Sequence, residues 1–184
     1  MAPLLPTARV ETKLSDVPRS ARIWVVMGVS GSGKTTLGIA LAERLGCAFQ
    51  DADDLHPASN IEKMRSGQAL TDADRMPWLE GIAAWMIEQA NQGRQNVLAC
   101  SALKRRYRDR MRESGCAPLF VAIDADLSIL ANRLARRTGH FMSSSLLDSQ
   151  IADYERPSPD EGALFVAADL PVEKQVDVIV ASMV

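Results

Sequence analysis

Short apolar runs alternate with longer amphipathic stretches along most of this chain. The apolar runs lie at residues 24–27, 47–50, 96–100, 119–123 and 163–167, and we predict a strand at each of them. Amphipathic spacing predicts helices after residue 33, at 57–65, 72–92, 104–115, 127–137 and 145–155, and after residue 171. This alternation predicts a three-layer α/β fold, in which a parallel five-stranded sheet carries helices on both faces.

A glycine-rich loop joins the first predicted strand to the first helix. Its glycines allow backbone N–H groups to turn inward around an anion, and the helix N-terminus adds further donors. Lys34 can reach the β- and γ-phosphates of a nucleotide, and the hydroxyl of Thr35 can bind Mg²⁺. The sequence therefore predicts a nucleoside triphosphate site, the alternative being a turn that binds nothing. The candidate nucleotide contacts are Gly28, Val29, Ser30, Gly31, Ser32, Gly33, Lys34, Thr35 and Thr36.

Length and composition indicate one domain and exclude several classes of protein. The chain has 184 residues, and we predict a flexible tail at 1–20 followed by a single domain at 21–184. A formal charge of −2 argues against a nucleic-acid binder. No apolar run reaches the ~18 residues of a membrane span, and the N-terminus does not resemble a signal peptide. We therefore expect a cytoplasmic protein that binds neither nucleic acid nor membrane.

Two aspartates follow the second predicted strand, at the sheet edge next to the glycine loop. Phosphoryl transfer needs a metal and a group that orients or deprotonates the attacking hydroxyl. Asp51 and Asp53 lie two apart on a segment that we expect to be extended, so one can face the metal and the other an acceptor hydroxyl. The alternative is a solvated acidic turn. Asp124 and Asp126 are weaker candidates for the metal.

Basic residues concentrate in two predicted helices. Residues 104–112 contain six basic side chains in nine, and we expect most of that charge to face water. Lys104 is the exception, because it lies next to the carboxyl end of the third strand. Arg133 and Arg137 precede a glycine and are typical of a lid that closes over phosphates, although arginines on one helix are also common surface residues.

Several segments together resemble one known family, the bacterial gluconate kinases among the small P-loop kinases. The loop alone identifies only a superfamily, whereas the pieces after it are more specific. The matching segments, in order, are MGVSGSGKT at 27–35, LHP at 55–57, NIEKM at 60–64, LxDxDRxPWL at 70–79, CSALK at 100–104, YRD at 107–109, RL at 133–134, RxGHF at 137–141, LL at 146–147 and SQ at 149–150. They cover nearly everything from residue 23 onward.

The resemblance implies an ATP:D-gluconate 6-phosphotransferase that uses Mg²⁺, has a nucleoside-monophosphate-kinase-like P-loop fold with a mobile lid at about 136–146, and forms a homodimer. Because gluconate is a polyhydroxy monoanion, its site needs a cation and polar groups. The candidate cations are Lys63, Arg75 and Lys104, and the candidate polar groups are Ser101, His56 and His140.

The remaining roles follow the chemistry of phosphoryl transfer. We expect Lys34 to stabilise charge on the transferred group, Asp53 to act as base or orienter for the 6-hydroxyl, and Arg137, with Arg133, to act on the nucleotide at closure. Thr35 and Asp51 are the candidate metal-binding residues.

Two alternative functions remain at this point. One is a kinase for another small acceptor, such as shikimate or a nucleotide. The other is a nucleotide-dependent switch, although the D-x-x-G and N-K-x-D motifs of GTPases are missing from the chain.

Overall fold

The structure, a computed structural model, describes residues 22–125, 130 and 144–183. Its sheet contains five strands, and every pair of neighbours is parallel. The order across the sheet is β2-β3-β1-β4-β5. The strands are β1 (Ile23–Met27), β2 (Ala48–Asp51), β3 (Asn96–Cys100), β4 (Leu119–Asp124) and β5 (Leu164–Ala167). The predicted parallel five-stranded sheet is confirmed.

Six helices are described, and each lies within a few residues of its predicted position. They are α1 (Lys34–Leu45), α2 (Ala58–Arg65), α3 (Asp72–Asn91), α4 (Arg105–Arg112), α5 (Ser144–Asp153) and α6 (Val172–Ala181), with short 3₁₀ turns at Ala52–Leu55 and Pro159–Glu161. Apart from Leu130, the helix predicted at 127–137 lies outside the described residues, as do the predicted tail and most of the predicted lid. None of the described helices has the length and apolar character needed to cross a membrane.

Apolar side chains cover both faces of the sheet, so the domain has the three predicted layers. On one face Leu37 and Leu41 of α1 pack with Ile179 of α6. On the other face Trp78 of α3 and Met111 of α4 belong to a second buried cluster. Because the central strands are covered on both sides, β1 and β3 are buried along their whole length.

A capping box fixes the start of α3, which carries several acceptor-site candidates. The Thr71 side chain accepts a hydrogen bond from the Asp74 backbone N–H at 3.2 Å, and the Asp74 carboxylate accepts one from the Thr71 N–H at 2.6 Å. Two of the helix's unpaired N-terminal groups are thereby satisfied. The cap therefore fixes where α3 begins, and with it the position of Asp72 and Arg75 in the first turn of the helix.

The prediction that most of the charge at 104–112 faces water is wrong for Arg108. Its side chain is fully buried and forms a bidentate pair with Glu161, with Nε and Nη2 at 2.6 and 2.8 Å from the two carboxylate oxygens. Nη1 donates to the carbonyls of Ala102 and Leu103. Although burial opposes it, hydrogen bonds from Arg108 lower the pKa of Glu161 to about 2. A buried arginine needs this full set of partners, and the pair ties α4 to the segment after α5.

Candidate active site

The glycine loop follows β1 and ends at the first turn of α1. Gly28, Gly31 and Gly33 have φ angles of 149°, 80° and 105°, a region that residues with a side chain rarely occupy. A Cβ at Gly28 would also lie 2.9 Å from the Ser32 hydroxyl oxygen. Lys34 opens α1, and its Nζ donates to the Val29 carbonyl at 3.0 Å. The loop thus combines glycine-dependent backbone geometry, a helix N-terminus and a lysine that lies over it, which together suit a chain of phosphates.

Two oxygen atoms next to this loop fit a magnesium ion. The Thr35 hydroxyl donates to Asp51 Oδ2 at 3.2 Å, so both groups reach the same point at the carboxyl edge of the sheet. Mg²⁺ prefers such hard oxygen ligands and usually keeps several waters and phosphate oxygens. Among the described residues, no group of three or more His, Cys, Asp or Glu side chains is arranged to hold a metal ion. Thr35 and Asp51 would therefore hold the ion together with the nucleotide, rather than in an all-protein cage.

The segment from Asp51 to Asp53 differs from its prediction. It is not extended, because Asp51 ends β2 and residues Ala52–Leu55 form a 3₁₀ turn. The Asp51 carboxylate caps this turn by accepting the Asp53 N–H at 3.1 Å. The turn leaves the Asp53 side chain exposed on the cavity wall. A capped turn rather than strand alternation therefore separates the two aspartates, and their different roles stay a prediction.

One cavity of about 420 Å³ connects the glycine loop to the proposed acceptor residues. Its wall combines the loop and its lysine with side chains from the ends of β2 and β3 and from α3 and α5. The predicted residues on this wall outside the loop are Asp51, Asp53, His56, Arg75 and Ser101, and unpredicted ones include Trp78, Ser149 and Gln150. The structure thus brings Asp51, Asp53 and three of the predicted acceptor residues into one cavity beside the glycine loop.

His56 lies in the acceptor part of the cavity, where contacts with Trp78 and Asn60 fix the position of its ring. Its ring stacks on Trp78 with the centroids 4.3 Å apart, and the Trp78 Nε1–H donates to the Ala52 carbonyl at 2.7 Å. Asn60 Nδ2 lies 3.3 Å from His56 Nδ1. Burial, reinforced by the positive charge of Arg75, lowers the pKa of His56 to about 4. At neutral pH the ring is uncharged and suits a hydroxyl better than a carboxylate.

Arg75 and Lys104 lie in a network of alternating charge beside this wall. Arg75 Nη1 donates to Asp153 Oδ2 at 2.8 Å and to the Tyr107 hydroxyl at 3.0 Å. Lys104 Nζ lies 2.9 Å from Asp153 and 3.1 Å from Asp72. Hydrogen bonds, the largest from Tyr107, lower the pKa of Asp72 to about 2. Of the two cations, only Arg75 also lines the cavity.

The remaining predicted site residues fall into two groups. Lys63 pairs with Asp74 at 2.6 Å and, like Lys104, is not part of the cavity wall. Arg133, Arg137 and His140 lie outside the described residues, so their predicted roles stay predictions.

Three residues of the site were not singled out from the sequence. Trp78 supports His56, Asp153 pairs with both acceptor-side cations, and Gln150 accepts the Ser30 backbone N–H at 2.7 Å. Trp78 and Gln150 lie in segments that resemble the gluconate kinases, so the resemblance could have identified them. No sequence pattern could have identified Asp153, because its partners lie up to 78 residues away in the chain.

The sheet order, the glycine loop and the adjoining acceptor cavity define a nucleotide-binding P-loop kinase. Comparisons with known proteins make this more specific. Residues 23–157 match the family described as AAA domain. A gluconokinase from Gluconobacter oxydans (strain 621H) is 49% identical over 174 residues, covering 95% of this chain and 94% of that protein. The chain belongs to the gluconokinase family.

Solved structures agree with this assignment. A gluconokinase from Sinorhizobium meliloti 1021 has 42% identity and a TM-score of 0.79, covering 90% of this chain and 93% of its own. A sugar kinase from Janibacter sp. HTCC2649 has 41% identity and a TM-score of 0.84, covering 88% and 94%. The similarity extends over most of each chain.

Proposed function

We propose that this protein transfers the γ-phosphoryl group of ATP to the 6-hydroxyl of D-gluconate, giving 6-phospho-D-gluconate and ADP. The observation that carries the proposal is the single cavity that joins the glycine loop to His56, Arg75 and Ser101. In this cavity a phosphate donor and a polar, anionic acceptor can bind next to each other. Membership of the gluconokinase family supports D-gluconate as that acceptor.

On the donor side, the loop backbone and Lys34 bind the phosphates, and Lys34 stabilises charge as the phosphoryl group moves. Thr35 and Asp51 would hold Mg²⁺, which would supply further neutralisation of the phosphates. Arg133 and Arg137 act at closure over the nucleotide.

On the acceptor side, Asp53 orients the 6-hydroxyl and takes its proton. Its exposure on the cavity wall supports this role, because the carboxylate needs direct access to the substrate. Neutral His56, Ser101 and His140 bind the other hydroxyls.

Arg75 is the cation that best fits the carboxylate of gluconate. It is 9% exposed and lines the cavity, so an ion pair there is little screened by water. Lys104 and Lys63 contribute positive potential from behind the wall, where aspartates hold them in place. With its carboxylate at Arg75, the acceptor would present its far hydroxyl to the donor phosphate.

A kinase for a different small acceptor and a nucleotide-hydrolysing switch are both less favoured. Relatives with 49% and 42% identity over most of the chain are named gluconokinases. A pure switch would have no use for the polar wall around His56.

Release of ADP, measured with purified protein, ATP and Mg²⁺ in the presence and absence of D-gluconate, tests the proposal. We expect rapid release only with D-gluconate, and little with shikimate or nucleoside monophosphates. Equal release with and without D-gluconate, or faster release with another acceptor, would overturn it.

Two further properties belong to this proposal. We infer a homodimer from the family resemblance, to be checked by light scattering of the purified protein. A cytoplasmic location suits an enzyme that consumes ATP, and fractionation of the producing cells tests it.

A further inference from the structure

The amide of Gln150 makes an unusual contact with the glycine loop. Its Oε1 accepts the backbone N–H of Ser30 at 2.7 Å, across 120 residues of sequence. Ser30 is only 6% exposed, so water could not easily replace this acceptor. One amide of the phosphate-binding loop is thus held by a side chain from α5 rather than left for a ligand.

Apolar contacts attach the same helix to the same loop. Leu147 and, on the following turn, Ile151 pack in one cluster with Val29 and Leu103. Val29 belongs to the glycine loop, and Leu103 follows β3 at the acceptor wall. The helix therefore rests on both halves of the site, and Gln150 adds the polar contact that fixes its position against the loop.

The C-terminal end of α5 is attached to the acceptor side. Asp153 binds Arg75 at 2.8 Å and Lys104 at 2.9 Å. Just beyond the helix, the Glu155 N–H donates to the Leu103 carbonyl at 2.9 Å. Residues three apart on a helix share a face. Gln150 therefore contacts the glycine loop, and Asp153 contacts Arg75 and Lys104, from the same side of α5.

We propose that Gln150 is a positioning residue for phosphoryl transfer. Through α5, it fixes the position of the glycine loop relative to the acceptor-side cations Arg75 and Lys104. Phosphoryl transfer needs the donor phosphorus and the acceptor oxygen in line, and a misplacement of about 1 Å can cost on the order of a hundredfold in rate. Because the Oε1 of Gln150 accepts the Ser30 N–H, its effect in this proposal is on the distance between the donor phosphorus and the acceptor oxygen. The inference rests on the proposed function, since the acceptor cations are assigned there.

The test compares three variants by steady-state kinetics with ATP and D-gluconate. Gln150→Met keeps the length of the side chain but removes the acceptor of the Ser30 N–H. We expect its kcat to fall about tenfold to a hundredfold, with the KM for ATP within about threefold of wild type. The remaining loop amides and Lys34 still bind the nucleotide, so the loss concentrates in kcat.

Gln150→Glu is the conservative rescue, because a carboxylate oxygen can also accept the Ser30 N–H. We expect it to recover most of kcat while raising the KM for ATP, since it adds a negative charge near the phosphates. Asp148→Asn is the matched control on the exposed side of the same helix, and we expect wild-type kinetics from it. Thermal unfolding of each variant corrects the rates for the folded fraction.

Wild-type kcat in Gln150→Met, or equal losses of kcat in the Met and Glu variants, would overturn the inference. If the Met variant does not stay folded, Gln150→Ala carries the same prediction. Failure of the proposed function is a separate outcome, because it would appear in the wild-type protein as no response to D-gluconate. The variant comparison could then be repeated with whichever acceptor the wild type phosphorylates.

Discussion

The glycine loop and the acceptor wall face one cavity but are built in different ways. The loop is a run of consecutive residues whose backbone does the binding, and its conformation depends on glycines at Gly28, Gly31 and Gly33. The acceptor wall assembles side chains from α3, the end of β3 and α5, and the Arg75–Asp153 pair spans 78 residues. A backbone site of this kind is determined locally, whereas a side-chain site depends on the whole fold. The two halves should therefore respond differently to substitution.

The largest expected effect is on the donor side. Lys34→Met removes the charge that stabilises the transferred phosphoryl group, and we expect kcat to fall about a hundredfold to a thousandfold, or about 3 to 4 kcal/mol. Coupled ADP-release kinetics measure the change. Lys174→Met is the control, because Lys174 is an exposed lysine of α6. Near-normal turnover by a folded Lys34→Met protein would remove Lys34 from the mechanism.

The next effect is at the boundary between the two halves. Asp53→Asn removes the proposed base, and we expect about a hundredfold loss of kcat. Asp54→Asn, which changes an exposed neighbour, should leave kcat close to wild type. If Asp53→Asn kept full kcat while Asp51→Asn lost it, the roles of base and metal partner would have to be exchanged.

A smaller and more selective effect is expected on the acceptor side. Arg75→Met removes the cation assigned to the gluconate carboxylate, and we expect the KM for D-gluconate to rise about tenfold to a hundredfold, or about 1.5 to 3 kcal/mol. The KM for ATP should stay within about threefold. Arg65→Met, on the exposed side of α2, is the control. An equal rise in both KM values would mean that Arg75 supports the fold rather than the acceptor.

The smallest effect is on stability and comes from His56. Its pKa is lowered to about 4 in the folded protein, against about 6.5 when unfolded, so below pH 6.5 the unfolded chain binds the extra proton. The contribution is present above pH 6.5 and is lost as the pH falls towards 4. Allowing for partial exposure, we expect wild type to lose about 1 kcal/mol more than His56→Gln between pH 7.5 and pH 5. Urea unfolding at both values measures this, and parallel losses would contradict it.

Much of the donor half could be predicted from the sequence, for a physical reason. The strand, glycine loop and helix occupy one continuous stretch, and each residue type has a local role there. The same holds for the sheet, because apolar runs separated by helices leave few other arrangements. The prediction of an extended segment at 51–53 was wrong, because the Asp51 side chain caps a 3₁₀ turn there.

The acceptor half could be predicted only through the resemblance, and its ion pairs not at all. Arg108 shares a helix face with Met111, but its charge predicts exposure as much as that of Arg106, which is exposed. The difference comes from Glu161, 53 residues further on, which reaches Arg108 once the sheet has formed. Asp153 was missed for the same reason. Charge partners brought together by the fold leave no periodicity in the sequence.

The identity of the product tests the central claim most directly. We suggest a proton-coupled ³¹P NMR spectrum of the reaction of this protein with ATP, Mg²⁺ and D-gluconate. Transfer to the 6-hydroxyl places the phosphate on a primary carbon, so the new phosphomonoester signal should be a triplet and should grow as ATP is converted to ADP. A doublet would place the phosphate on a secondary carbon, and inorganic phosphate alone would mean hydrolysis. The doublet would contradict transfer to the 6-hydroxyl, and hydrolysis alone would contradict the assignment of the acceptor wall to D-gluconate.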